Sequence, residues 1–417
     1  MRRAPILLSC MALLAGCSAP SAPKPTPTPA PTRVVDSRGG VLPGYPLDID
    51  VVAPMVITTL SPDPAPVEGT DGKFHVAYEV EVLNAGPRPV SITRVETLAN
   101  GPDGATVTTI DQQETVARTL LIPNYSAAPV TEIPVGRTAV LVLDDAYATR
   151  AEVPPEVTHR LTATLGPAAP ENAATGAKYP DTVTQIGGPV RTSTQSPVVI
   201  GPPLAGDNWA ALNGCCAVTS HRGAVMAVAG RLNGSERYAI DWVRVDANGH
   251  PLSTFIGTGK SNADYRAYDA PVLAVADGTV TAVVSDMKEA TPQVILPDLT
   301  FPQLGGNYVI IDIGDGNFAF YAHMIPGSAS VKVGDKVTRG EVIGRLGNSG
   351  NTSEAHLHFQ VSRASIPLSS DNVPYVIDTF AFVGSIVGND VEALPKPSDR
   401  TNQLPLDNSV VNFPPNP

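Results

Sequence analysis

Short runs along this chain alternate apolar and polar residues, with glycine and proline between them, and that period predicts strands rather than helices. The clearest run lies toward the C-terminal side. Leu357, Phe359 and Val361 fall on one face, and His356, His358 and Gln360 on the other. A strand points residues i and i+2 to the same side, so two imidazoles converge while an apolar face seals a core behind them. A second run puts Phe74, Val76, Tyr78, Val80 and Val82 on one face, opposed by His75, Glu79 and Glu81. Asn84-Ala85-Gly86-Pro87 then predicts a turn into Pro89-Val90-Ser91-Ile92.

Further strands are predicted at 51–60, 137–143, 159–165, 238–245, 272–284, 307–313 and 317–323, followed by the segment 331–346. Asn248-Gly249 predicts a hairpin. The regular short strands of residues 46–167 predict an immunoglobulin-like sandwich, with His75 and His159 on exposed strand faces. Residues 168–205 are rich in Pro, Gly, Thr and Ala and read as a connector. A second β domain is expected over 206–390, and 391–417 reads as a polar, Pro-rich tail that wraps the surface or frays. At 417 residues the chain is too long for one typical core, so two folded units fit its length. The expected fold class is mainly β.

Composition adds a compartment. Arg2 and Arg3 precede an apolar run from Ile6 to Leu14, the layout of a signal peptide over residues 1–16. Leu14-Ala15-Gly16-Cys17 resembles a bacterial lipoprotein lipobox, and that resemblance implies cleavage before Cys17 and lipidation of its thiol and new amino terminus. Multiple acyl chains anchor stably where one does not. Residues 17–45 are dense in proline and read as an extended spacer from the membrane. The mature protein is therefore expected outside the cytoplasm, in the cell envelope. A net charge of −12 argues against nucleic acid as partner. The first domain shows no metal or nucleophile constellation, and it is expected to position the second or recruit an envelope protein.

The second domain carries an ordered set of segments. Ala274-Val275-Ala276-Asp277-Gly278-Thr279-Val280 comes first, then Gly306-Asn307-Tyr308 and Tyr321-Ala322-His323-Met324. Val331-Lys332-Val333-Gly334-Asp335, Gly347-Asn348-Ser349-Gly350-Asn351 and His356-Leu357-His358-Phe359 follow. Together they resemble the lysostaphin-type (LytM-like) zinc metallopeptidases, which cleave peptides of the bacterial cell wall. Val331 to Gly344 also resembles the hammerhead of biotinyl and lipoyl domains, but no lysine sits in the required hairpin. The first resemblance implies an antiparallel-β peptidase domain, a zinc ion and peptidoglycan peptides as substrate. It implies His358 and Asp241 as zinc ligands, His356 as general base and His323 as a second active-site histidine. Two imidazoles and a carboxylate would leave zinc an open position, as a catalytic site requires. Loops around 285–305, irregular through Pro292, Pro297 and Pro302, are expected to shape the cleft.

One departure matters. The family's first ligand lies four residues before the aspartate, and here that position is Arg237. A guanidinium has no lone pair to give a metal. His221, upstream of Asp241, is favoured as the third ligand, with a turn through Gly230 to Gly234 bringing the chain back. His250, beside the Asn248-Gly249 turn, is the competing candidate. Arg237 and Asn307 are candidate substrate contacts, with bracing of Asp241 as the alternative role for Arg237. Cys10 leaves with the signal peptide, while adjacent Cys215 and Cys216 are candidates for a vicinal disulfide in an oxidising compartment. Two functions stay open at this point: a zinc endopeptidase of peptidoglycan, and a catalytically silent domain of the same fold that binds cell wall or regulates another hydrolase.

Overall fold

The computed structural model describes residues 53–60, 63–122, 130–228, 230–366 and 368–415. The signal peptide, Cys17 and most of the proline-rich spacer lie outside the described residues. Among the described residues, no helix is long and apolar enough to cross a membrane.

Two antiparallel sheets form the first unit. One orders Met55–Thr59, Phe74–Asn84, Thr138–Tyr147 and Thr119–Ile122, with Val67–Glu68 also on Phe74–Asn84. The other orders Thr106–Ile110, Val90–Ala99, Glu156–Leu165 and Thr182–Arg191. The alternation explains the packing: Val76, Tyr78, Val80 and Val82 all enter one core with Val90, Ile92, Val95 and Leu161 of the opposite sheet. Residues 182–191, expected in the connector, instead form the edge strand beside Glu156–Leu165.

His75 and His159 are buried, not exposed. His159 faces inward and meets the Tyr78 hydroxyl at 2.9 Å, while that hydroxyl donates to Asp145 at 2.6 Å. His75 lies on the other face of its strand, which would be solvated in an isolated sandwich. Here that face packs on the second unit, so Ala77 and Glu79 are fully buried. Periodicity in one strand cannot reveal that both faces are covered.

The second unit is built on a ten-stranded antiparallel sheet. Its order is Lys336–Val337, Gly278–Val284, Tyr308–Gly314, Asn317–Ala322, Leu357–Ser362, Ile240–Arg244, Gly206–Leu212, Ser409–Phe413, Phe380–Val387 and Asp390–Arg400. The strand Leu357–Ser362 thus runs between Asn317–Ala322 and Ile240–Arg244. Leu357, Phe359 and Val361 are fully buried in the main core. Each such side chain stabilises by about 1.5–3 kcal/mol. The C-terminal tail corrects the expectation most. Ser409–Phe413 pairs on both sides, with Gly206–Leu212 and with Phe380–Val387, and Val410 and Val411 are fully buried. Asn248-Gly249 does form a turn, with the Gly249 N–H donating to the Asp246 carbonyl at 2.9 Å. It closes no hairpin, because Ile240–Arg244 takes its partners from Gly206–Leu212 and Leu357–Ser362. The hairpin in this region is Val225–Val228 with Arg231–Gly234, which reverses the chain between His221 and Asp241.

Candidate metal centre and active site

Sheet register builds the site. Asp241 pairs directly with His358 on one side, and Ala322 pairs with His358 on the other. The strand Asn317–Ala322 ends where His323 takes φ +64, in the left-handed region. A non-glycine residue there is strained, and the surroundings must hold it. The His323 N–H donates to the Gly305 carbonyl at 3.0 Å, and its own carbonyl accepts from Gly347 at 3.1 Å. Gly306, at φ +61, permits the close approach: a Cβ there would lie 2.1 Å from the Ser349 carbonyl oxygen. His221 arrives from a turn after the cysteine pair.

Every histidine in the cluster spends one ring nitrogen on a protein oxygen. His221 Nδ1 lies 3.2 Å from the Ala239 carbonyl, His323 Nδ1 2.7 Å from that of Ser349, and His356 Nδ1 2.9 Å from that of Glu354. His358 uses Nε2, 3.0 Å from Gln360 Oε1, and the Gln360 amide donates in turn to the Ser235 carbonyl. A carbonyl can only accept, so each of these nitrogens carries the proton. The remaining nitrogens turn toward one point. His221 Nε2 lies 3.2 Å from Asp241 Oδ2, and His358 Nδ1 and His356 Nε2 lie 3.0 and 3.3 Å from Oδ1. The rings of His323 and His356 are 4.6 Å apart.

Ligand atoms of His221, Asp241 and His358 all fall within 4.8 Å of one another. Two imidazole nitrogens and one carboxylate, each fixed from behind by a hydrogen bond, match the donor set expected of a catalytic zinc site. Burial opposes charge on His221, but the Asp241 carboxylate outweighs it and pushes the imidazole up to about 9. Burial also opposes charge on Asp241, yet the facing imidazoles of His221 and His356 hold it well below the usual carboxylate range. His323 goes the other way. Burial, with His356 and His358 beside it, keeps it neutral well below the usual imidazole range.

The cluster opens into a cleft of about 410 Å³. Ser220, Glu236, Leu304, Phe320 and Asn351 contribute to its walls, and Ile295 comes from the expected loop. That loop is strapped to the histidine segment: Ala290 donates to the Asn348 carbonyl and Gln293 to that of Ser353.

Other expected site residues are placed elsewhere. Asn307 is fully buried, its amide bonded to the backbones of Met287 and Met324, so it does not reach the cleft. Arg237 is buried against Glu79 and does not line the cleft either. His250 lies at the surface, paired with Asp390 at 2.8 Å. Cys215 and Cys216 are joined in a vicinal disulfide. A second grouping, His75, Asp144 and Cys216, also has close ligand atoms. It fits a metal poorly, because the Cys216 sulfur is tied to Cys215 and both His75 nitrogens already face carboxylates, Asp144 and Asp71. Sequence reasoning missed Asn213, whose amide donates to Asp241 Oδ2 at 2.9 Å. Its role depends on the pairing of Leu212 with Asp241, which no local pattern announces.

Residues 259–370 match the model of peptidase family M23. This chain carries an M23 domain. The matched span includes His323, His356 and His358 and begins after His221 and Asp241. An endolysin of Staphylococcus phage 2638A is 35% identical over 80 residues, 18% of this chain and 16% of the relative. The peptidoglycan DD-endopeptidase ShyC of Vibrio cholerae serotype O1 is 30% identical over 129 residues, 30% of this chain and 26% of the relative. The chain thus spans only about a sixth to a quarter of the length of these curated relatives. Among solved structures, the lysostaphin catalytic domain from Staphylococcus simulans is 20% identical, over 40% of this chain and 88% of that one. The TM-score of that match is 0.23. The M23 domain is preceded by another folded unit, the two-sheet arrangement of residues 53–191.

Proposed function

We propose that this chain is a zinc-dependent endopeptidase of bacterial cell-wall peptidoglycan. One observation carries the reading: four imidazoles and the Asp241 carboxylate converge in a cleft, with every outer nitrogen tethered. His221 Nε2, Asp241 and His358 Nδ1 would hold the metal. Bound zinc polarises a carbonyl and brings the pKa of a bound water to about 7. His356 Nε2, facing the cluster, accepts a proton from the attacking water as its oxygen bonds to the scissile carbonyl carbon. The same nitrogen returns that proton to the amide nitrogen as the C–N bond breaks. His323, kept neutral with its Nδ1–H on the Ser349 carbonyl, turns its free nitrogen into the same space, where it can accept a hydrogen bond from the attacking water and orient it. Asn213 holds Asp241 in register.

Similarity to peptidoglycan endopeptidases supports the substrate class. In this reading the protein is exported and tethered through lipidated Cys17, with the proline-rich stretch as spacer. The test is incubation of purified muropeptides with zinc-loaded protein, followed by mass spectrometry. Fragments whose masses sum to substrate plus one water support the reading. Intact muropeptides beside a fully loaded site would support the silent-domain alternative instead.

A further inference from the structure

A charged residue of the first unit reaches under the metal centre. Glu79 sits on Phe74–Asn84, is fully buried, and points away from its own core into the second unit. Its carboxylate accepts from Arg237 Nε at 2.8 and 3.1 Å and from Arg237 Nη2. It also accepts from Arg222 Nη2 at 3.4 Å. Arg222 and Arg237 are themselves 1% and 3% exposed, so the cluster is closed to water. Asp371 balances the second guanidinium, 3.3 Å from Arg237 Nη2.

The two arginines flank the ligands in sequence. Arg222 directly follows His221. Arg237 opens the segment Tyr238-Ala239-Ile240-Asp241, whose Ala239 carbonyl orients His221. Arg222 further donates to carbonyls on both sides of the boundary, at Cys216 in the second unit and at Tyr78 and Leu143 in the first. The Tyr238 hydroxyl donates to the Ala77 carbonyl at 3.4 Å, on the same outer face of the first unit. One carboxylate therefore grips both backbone stretches that carry the two upstream ligands.

Resting on the proposed zinc reading, we infer that Glu79 is a positioning residue which sets the spacing of His221 and Asp241, so that the first unit completes the M23 metal centre. The position occupied by Arg237 becomes intelligible in this arrangement. The side chain that cannot ligate zinc takes the anchor, and His221 supplies the lone pair from a separate turn. Outer groups that orient metal ligands are generally worth 10-fold to 100-fold in metal affinity.

Full-length protein is the material for the test, with Glu79→Gln and the double variant Glu79→Gln/Arg237→Gln. Removing one member of a buried pair leaves an uncompensated charge and risks the fold, whereas the double variant removes both charges and keeps similar volume. Val95→Ala, in the core of the first unit away from Glu79, controls for general loosening. Zinc affinity is read by competition with a chromophoric chelator, and site geometry by the visible spectrum of the cobalt-loaded protein. Both Glu79 variants should lose about 10-fold to 100-fold in affinity with an altered cobalt spectrum, while Val95→Ala matches the wild type in both. Wild type that binds metal, with folded variants indistinguishable from it, overturns the inference alone. Equal losses in Val95→Ala overturn it too, by making the effect one of stability. Wild type that binds neither metal overturns the proposed function together with the inference.

Discussion

Replacing Phe413 with alanine tests whether the C-terminal strand belongs to the core that carries the site. Phe413 is 3% exposed, and its ring meets that of Trp242 edge-on at 5.1 Å. Trp242 is the residue after Asp241, so this contact lies behind a proposed metal ligand. A buried Phe→Ala change costs about 3–5 kcal/mol from lost burial and the cavity left behind. An aromatic pair contributes some 0.5–1.5 kcal/mol beyond its area, so the upper half of that range is expected. The chain has 2 tryptophans, Trp209 and Trp242. Both are buried, and Trp209 pairs in register with Val411 of the same C-terminal strand. Intrinsic fluorescence during urea unfolding therefore reports this region specifically. With a slope near 3 kcal/mol per M, the midpoint should fall by roughly 1.3 to 1.7 M. A midpoint that moves by less than about 0.2 M on that scale would put the tail outside the core. The packing account of the second unit would then fail.

The remaining expectations concern the site and the first unit. Zinc content should be about one ion per chain. It should be lost in His221→Ala and His358→Ala and kept in His250→Ala, while His356→Ala keeps the metal and loses turnover; loss of zinc in His250→Ala with retention in His221→Ala would reverse the ligand assignment. Gly306→Ala drives a Cβ into the Ser349 carbonyl that holds His323. Its turnover should drop tenfold or more with zinc content unchanged, a split read by kinetics beside metal analysis. His159 is pushed down to about 4 by burial. The unfolded chain takes up that proton from about pH 6.5 downward and the folded chain only near 4, so His159 costs stability progressively as pH falls through this window, by roughly 3 kcal/mol in full. Asp145, pushed up to about 6 by burial, acts with the opposite sign and is present in both proteins compared. Unfolding midpoints against pH for wild type and His159→Gln should therefore converge on acidification, and parallel curves would refute the assignment.

How much of this was legible in the sequence differs by element. Period-two alternation found the strands that carry one buried face, Phe74–Asn84 and Leu357–Ser362 among them, because that pattern reports one face directly. It could not report that the outer face of Phe74–Asn84 is buried by a second unit, so His75 and Glu79 read as solvated. The C-terminal segment was read from its proline and polar content. Ser409–Phe413 is only five residues long, and its burial comes from strands some 200 and 30 residues upstream. Among the site residues, His323, His356, Asp241 and His358 stood out as motif members. His221 was favoured over His250 because an arginine occupied the usual position and His221 precedes Asp241 in the chain, and the structure brings it beside Asp241 and His358. Asn213 and Glu79 had no local signal at all, because their contacts exist only after distant strands pair.

The claim on which the rest depends is that zinc sits between His221, Asp241 and His358. X-ray absorption at the zinc edge of the loaded, full-length protein tests it most directly. A first shell of nitrogen and oxygen alone, near 2.0–2.2 Å with imidazole outer-shell scattering, is the expected result. Sulfur at about 2.3 Å would contradict it, because that scatterer would place the metal at the grouping of His75, Asp144 and Cys216.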